Sequence, residues 1–300
     1  MTRAALSLAS VRAPTPSNIL ALLKPITWFP PIWAFLCGAV SSGAPIADRW
    51  PLLLAGMVLA GPAVCGTSQA VNDWFDRHVD AINEPDRPIP SGRVAGRWGL
   101  AIAITGTILS LLLGAALGIW VLAATALGLV AAWAYSAPPL RLKVSGWLGP
   151  LTVGLSYEGL SWFTGAAVMA GGLPGTPILI VLLLYSLGAH GIMTLNDFKA
   201  LVGDRATGVR SLPVTLGPDR AARVACLMMA VPQAVVIGLL ASWGLTWSAL
   251  AVAASLALQL ALMPRLLADP AGRAPWYNAT GVSLYVSGMM AAAIGLGSLA

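Results

Sequence analysis

Nine apolar runs divide the chain, at about residues 26–42, 52–72, 98–117, 119–136, 147–170, 176–195, 221–242, 246–264 and 278–298. Each is close to the ~20 apolar residues that a helix needs to cross ~30 Å of hydrocarbon. Inside lipid the backbone has no water to bond, so such runs are expected to be helices, which pair their amides and carbonyls internally. The pattern predicts an all-α integral membrane protein of about nine transmembrane helices around a lipid-accessible cavity. On one side the runs are joined by short turns around Gly43, Gly118, Gly172 and Gly244, and on the other by two long polar segments, 73–97 and 196–220. The expected organisation is an N-terminal tail, 1–25, followed by a single transmembrane domain, 26–300.

Composition excludes an aqueous fold. Hydrophobic residues make up 58% of the 300 positions and charged residues 9%, against roughly a quarter charged in soluble domains. The first 25 residues carry Arg3, Arg12 and Lys24 with Pro14 and Pro16, and lack the apolar core and cleavage site of a secretory signal. Cys37, Cys65 and Cys226 stand alone inside apolar runs and are read as packing residues. The net charge of +6 comes from basic residues scattered among loops, so the expected partners are membrane lipids and an anionic substrate, with no nucleic acid. With the N-terminus in the cytoplasm, sixteen of the seventeen Lys and Arg residues, all but Arg49, lie on the cytoplasmic side, as the positive-inside rule requires. An odd helix count then puts the C-terminus on the opposite side.

Both long cytoplasmic segments begin with an Asn-Asp pair, Asn72-Asp73 and Asn196-Asp197, which hints at an internal repeat. If the second helix continues through its segment, ~100° per residue brings Asp73, Asp76 and Asp80 into one stripe, with Asn72 at its edge. Asp197 and Asp204, seven apart, also share a face if helical. Five carboxylates gathered at one membrane surface repel one another unless cations lie between them. Hard oxygen ligands without His or Cys suit Mg²⁺, which bridges carboxylates to substrate phosphates. Asp76, Asp80, Asp197 and Asp204 are therefore the expected catalytic acids, and with Asn72 and Asp73 the expected metal ligands. A diphosphate substrate follows, with Arg77, Arg141, Lys143, Lys199 and Arg205 available to its oxygens. Read singly, each of these basic residues is equally well an orientation-setting surface charge.

An apolar cavity opening onto that site suits a long hydrocarbon chain with a diphosphate head. Most tryptophans lie at helix ends, as interfacial anchors do, and Trp28, Trp33, Trp74 and Trp162 are the candidates for the cavity wall. Glu158 and His190 fall inside predicted helices, where ionisable groups are costly and often functional. Glu158 is assigned to the cavity and His190 to an interhelical hydrogen bond.

At these residues the sequence resembles the UbiA prenyltransferase superfamily. Its first motif, N-D-x-x-D-x-x-x-D, is matched by Asn72, Asp73, Asp76 and Asp80, and its Tyr-containing loop by the stretch from Tyr135 to Lys143. Lys24-Pro25-Ile26-Thr27-Trp28, the run from Asp76 to Pro85, and Ser211-Leu212-Pro213-Val214 are similar to the chlorophyll and bacteriochlorophyll synthase branch, and Phe29-Pro30-Pro31 to its bacterial side. The second segment departs from the common D-x-x-x-D, with Ala200 at the first of those positions, so that Asp197 and Asp204 must serve. The resemblance implies Mg²⁺-dependent transfer of a C20 prenyl group, geranylgeranyl or phytyl, from its diphosphate to the propionate carboxylate of chlorophyllide or bacteriochlorophyllide. It also implies a bacterial inner or photosynthetic membrane, pigment-pathway protein partners, and Tyr135 at the cavity. A carboxylate acceptor is already a nucleophile at neutral pH, so no catalytic His dyad or Ser triad is needed. The competing readings are a UbiA-type enzyme acting on a quinone precursor or haem, and a secondary transporter using Glu158 and His190. Acids placed at helix ends on one side weigh against the transporter.

Reporter fusions after Pro85 and Gly208 are expected to report the cytoplasm, and a fusion at Ala300 the opposite side. Finding Ala300 on the side of the N-terminus would mean an even number of crossings.

Overall fold

A computed structural model describes residues 13–299; residues 1–12 of the expected tail lie outside the described residues. The described chain is helical, without strands apart from one isolated bridge between Ser145 and Arg210. Helix α1, Pro16–Leu23, opens with the Thr15 hydroxyl accepting from the Asn18 amide and with proline in its first turn, a preferred N-terminal arrangement. The chain then bends by 60° into α2, Phe29–Ser41, with Lys24 in the left-handed conformation at φ 46°. Helix α3, Ala47–Asn83, is 37 residues long. It passes Pro62 through a π-helical stretch, Leu59–Cys65, whose wider turn tolerates the missing N–H and the ring.

Helices α4, Trp98–Leu117, and α5, Ile119–Ser136, form a hairpin about Gly118. Helix α6 covers 148–170 and contains a second π-helical stretch, Leu155–Leu160. Helix α7, Thr176–Asn196, continues through a 3-10 turn, Asp197–Ala200, into α8, Leu201–Thr207. Then come α9, Leu212–Leu216, α10, Pro218–Ser242, α11, Thr246–Ala268, and α12, Pro270–Gly297.

Among the described residues seven helical stretches are long and apolar enough to cross a membrane, and an eighth if the bent pair α1–α2 counts as one span. Helix α6 is not among them, because Pro150, Ser156, Tyr157 and Glu158 interrupt its apolar run. Leu109, Leu112, Val130 and Leu227 are exposed on the outer surface, where lipid rather than water is the fitting neighbour. The folded body begins earlier than the expected boundary at residue 26. Helix α1 packs on α3 and buries Leu22 completely, although at eight residues it is too short to register as a span.

Small residues bring the bundle together. Where α2 crosses α6, a side chain at Gly38 would strike the Trp162 carbonyl, and one at Gly165 would strike the Phe35 carbonyl. In lipid, which offers no hydrophobic drive between helices, such close backbone approach supplies the packing. Around it the Trp162 ring stacks on Tyr185 at 5.8 Å, and Tyr185 meets Tyr285 edge-on at 5.2 Å. The Trp162 Nε1 donates to Ser41 Oγ at 3.0 Å, and the Tyr285 hydroxyl to the Tyr185 carbonyl at 2.6 Å. Gln233 on α10 and Gln259 on α11 exchange two carboxamide hydrogen bonds of 3.1 and 3.0 Å.

Replacing Gly38 or Gly165 by Val is expected to destabilise the bundle by at least the ~1–3 kcal/mol typical of overpacking, because backbone must move. Thermal unfolding of the purified variants checks this, and an unchanged midpoint for both would show that the crossing tolerates a side chain.

Candidate active site

The last turns of α3 carry the acidic stripe, and each of its carboxylates faces a cation. Asp73 has no exposed surface. Its Oδ1 accepts from Lys24 Nζ at 2.6 Å and lies 3.4 Å from Arg87 Nη1, while Oδ2 is buried without a partner. Arg87 also donates through Nη1 to Asp80 Oδ2 at 2.9 Å, and grips Glu84 with two bonds of 2.6 Å, the bidentate geometry that makes arginine–carboxylate pairs strong. Asp76 pairs with Lys143. The Asn72 carboxamide spans Asp76 Oδ2 at 3.1 Å and Ser136 Oγ at 3.2 Å, joining α3 to the end of α5.

Lys143 is delivered by the loop after α5. That loop is tied to the second polar segment by Gly146 N donating to the Arg210 carbonyl, and Arg210 N to the Val144 carbonyl, both at 2.9 Å. Burial pushes the Lys143 ammonium below the ordinary lysine range, with Asp76 working against it. In the second segment, Asp197 lies on the 3-10 turn and Asp204 on α8. Among the described residues no lysine or arginine forms an ion pair with either.

The asparagines of the two Asn-Asp pairs meet at one cavity. Asn72 and Asn196, together with Tyr135, line a space of about 400 Å³ enclosed by α2, α3, α5, α6 and α7. Asn196 Oδ1 is held by Asn278 Nδ2 at 2.9 Å. Beyond these residues the wall mixes Ala, Val, Leu, Pro and Gly with Ser and Thr, and carries a polar belt in which Gln69 Nε2 donates to the Tyr157 hydroxyl at 3.0 Å and Cys65 Sγ to the same oxygen at 3.3 Å.

The other expected residues fall in different places. Arg77 stacks on Trp74, 4.2 Å from the ring, and donates to that residue's carbonyl at 2.6 Å. Arg141 and Lys199 are exposed beside Lys143 and Asp197, and Arg205 is exposed on α8. Of the six expected cavity residues, Tyr135 alone lines the wall. Trp28 donates to the Leu23 carbonyl at 2.8 Å, Trp33 to the Val286 carbonyl at 2.9 Å, Trp162 lies in the core described above, and Trp74 is taken up with Arg77. Glu158 is buried in the π-helical stretch of α6 with Oε2 unpartnered, off the cavity wall. His190 Nδ1 lies 3.4 Å from Thr194 Oγ1 of its own helix, and its ring is 5.3 Å from that of Trp147, which precedes α6. Among the described residues no three Asp, Glu, His or Cys side chains converge as a metal site, since the stripe's carboxylates hold cationic side chains. Arg87, Gln69 and Tyr157 escape sequence reasoning. For Arg87 the available signal is Glu84 three residues before it; for Gln69 and Tyr157 only the tertiary contact reveals them.

The chain matches the UbiA prenyltransferase family over residues 23–289. It is 61% identical over 294 residues to the bacteriochlorophyll synthase 33 kDa chain of Cereibacter sphaeroides, an alignment covering 98% of this chain and 97% of that protein. It is 38% identical to the chloroplastic chlorophyll synthase of Oryza sativa subsp. japonica, covering 92% of this chain and 75% of that protein. A UbiA homologue from Archaeoglobus fulgidus, solved bound to GPP and Mg2+, shares the fold with a TM-score of 0.66 at 20% identity, over 89% of this chain and 99% of that one.

The Lys24–Asp73 contact is expected to be strongly coupled. In a double-mutant cycle of Lys24→Gln and Asp73→Asn read by thermal unfolding, the pair should lose less than the sum of the single losses, by about 0.5–3 kcal/mol. Strict additivity would remove Asp73 from its anchoring place.

Proposed function

The chain belongs to the UbiA prenyltransferase family, and on that premise we propose that this membrane prenyltransferase esterifies bacteriochlorophyllide. It transfers a C20 prenyl group, geranylgeranyl or phytyl, from the diphosphate to the propionate carboxylate of the pigment. The observation that carries the reading is the convergence of Asn72 and Asn196, one from each acidic segment, on a single largely apolar cavity. The higher identity to the bacteriochlorophyll synthase chain than to the chlorophyll synthase, 61% against 38%, supports the bacteriochlorophyllide acceptor. In this reading nine helices cross the membrane, the N-terminus and the site face the cytoplasm, and Ala300 is on the far side.

Mg²⁺ would be held by the hard oxygens of Asn72, Asp76, Asp80, Asp197 and Asp204, once substrate phosphates compete for the Lys143 and Arg87 side chains paired with Asp76 and Asp80; among the described residues Asp197 and Asp204 form no ion pair. When bound, Mg²⁺ neutralises charge that develops on the departing diphosphate. Lys143, with Arg141 beside it, is placed to bond phosphate oxygens in addition to Asp76. The apolar wall holds the isoprenoid away from water, so that the allylic centre meets the acceptor rather than solvent. The bond between C1 of the donor and the diphosphate oxygen breaks, with the electron pair leaving on diphosphate, and a carboxylate oxygen forms the new bond to C1. No proton is abstracted in that exchange, so it needs no general base.

Membranes containing the protein, incubated with bacteriochlorophyllide and prenyl diphosphates, are expected to yield an ester carrying the mass of a C20 chain, to lose activity on chelation and to regain it with Mg²⁺. Asp76→Asn and Asp80→Asn should each lower turnover by about 100-fold or more while the protein still accumulates. No ester from any prenyl diphosphate would sink the assignment, and near-normal turnover after thorough chelation would sink the metal.

A further inference from the structure

The two asparagines at the cavity are engaged in opposite senses. Asn72 uses both N–H bonds of its carboxamide, one to Asp76 Oδ2 at 3.1 Å and one to Ser136 Oγ at 3.2 Å. An ionised carboxylate only accepts, so Asp76 fixes which way round the Asn72 amide lies. The Asn72 Oδ1 is then the atom left for the cavity, as a cation ligand requires.

Asn196 is the reverse. Its Oδ1 accepts from Asn278 Nδ2 on α12 at 2.9 Å, and among the described residues its Nδ2 meets only Met193 Sδ, at 4.0 Å and one turn back on α7. Met193 and Asn196 both line the cavity, which puts the NH2 group on the cavity side of the helix. Turning the two carboxamides over is the poorer arrangement. It would set the Asn196 oxygen against a thioether, which has no hydrogen to give. It would also replace Asn278 Oδ1, buried without a partner, by two buried N–H bonds without acceptors. An unpartnered oxygen is the more tolerable of the two, as it is for backbone groups.

We propose that Asn196 is a substrate-binding donor: oriented by Asn278, its NH2 group bonds an anionic oxygen of the bound substrate, either the diphosphate of the prenyl donor or the carboxylate of the acceptor. The inference rests on the reading that prenyl transfer to a carboxylate takes place at this cavity. The two Asn-Asp pairs are thus alike in sequence and opposite in chemistry, with the oxygen of Asn72 turned to the metal and the NH2 group of Asn196 to the substrate. A neutral donor suits the place, because it reaches an anion without repelling the metal ion. Asn278 is not among the residues that line the cavity. It is a positioning residue, keeping the Asn196 oxygen away from the substrate.

The test uses the full chain in proteoliposomes at saturating Mg²⁺, with KM measured separately for C20 prenyl diphosphate and for bacteriochlorophyllide. Asn196→Asp, which exchanges NH2 for a charged oxygen at nearly unchanged shape, should raise one of the two KM values by about tenfold or more, the scale of a lost charge-assisted hydrogen bond. The substrate whose KM rises is the one that Asn196 holds. Asn196→Ala should raise the same value by less, because it removes the donor without adding repulsion. Asn278→Ala should also raise it, by about threefold or more, and should add nothing in an Asn196→Ala background, where no amide remains to be oriented. Asn278→Ser takes its place if the alanine variant does not accumulate. Where Asn196→Asp is too slow for kinetics, equilibrium binding of each substrate to the purified variant gives the same reading. Unchanged affinity for both substrates overturns the proposal, and so does an Asn196→Asp protein that keeps its turnover while needing less Mg²⁺, the mark of an oxygen facing the metal. An equal rise in both values, as from a distorted site, overturns it too. A full further effect of Asn278→Ala in the Asn196→Ala background removes Asn278 from the positioning role. Absence of any ester from the unmodified protein overturns instead the reading of function beneath it.

Discussion

Asp73 has no exposed surface, and a carboxylate so placed is sustained only by the cations drawn to it. Lys24 comes from the bend between α1 and α2, and Arg87 from the loop beyond α3. Removing one partner from a buried pair leaves an uncompensated charge, which costs far more than the pair itself contributes. This single requirement pulls the N-terminal helix and the first polar segment onto the end of α3. Arg87, once there, reaches Asp80 and Glu84 as well. The part of the stripe nearest the bundle is thus spent on holding the site together through Arg87, while Asp76 pairs with Lys143 of a separate loop.

The cavity depends on a different constraint, the irregularity of two helices. Both π-helical stretches, Leu59–Cys65 on α3 and Leu155–Leu160 on α6, contribute to its wall. A wider turn displaces side chains from the ordinary helical phase and is often retained where a site needs that displacement. On α3 the cause is legible, since Pro62 cannot give an amide to the ladder. On α6 the same local widening carries Tyr157 onto the wall and Glu158 away from it. Opposite them, α5 presents Ala124, Gly128, Ala131 and Ala132, and their small size leaves the interior open. Elsewhere glycine does the reverse, bringing α2 against α6 without a gap.

The polar loops form one roof. The loop carrying Lys143 is hydrogen-bonded to the second acidic segment at Arg210, and Lys143 itself reaches Asp76 of the first. Three segments far apart in sequence are therefore mechanically connected at the mouth of the cavity. A substrate phosphate that draws Lys143 away from Asp76 would act on all three.

By itself the sequence determined the helices, because apolar runs of spanning length leave the backbone no alternative in lipid. It determined the acidic stripe as well, because α3 continues as a helix to Asn83 and keeps Asp73, Asp76 and Asp80 in phase. The motif residues were enough to place the chain in its family. Tertiary structure alone decided which cation each carboxylate holds, that α1 belongs to the folded body, and that Trp162 and Glu158 are buried and Trp33 packs half-buried against the core while Gln69, Tyr157 and Gly128 face the cavity. The reason is physical. An apolar helix in lipid is hydrophobic all round, and lipid tails are as apolar as leucine, so hydropathy distinguishes neither face. Only the crossing of one helix against another chooses the face that lines a cavity.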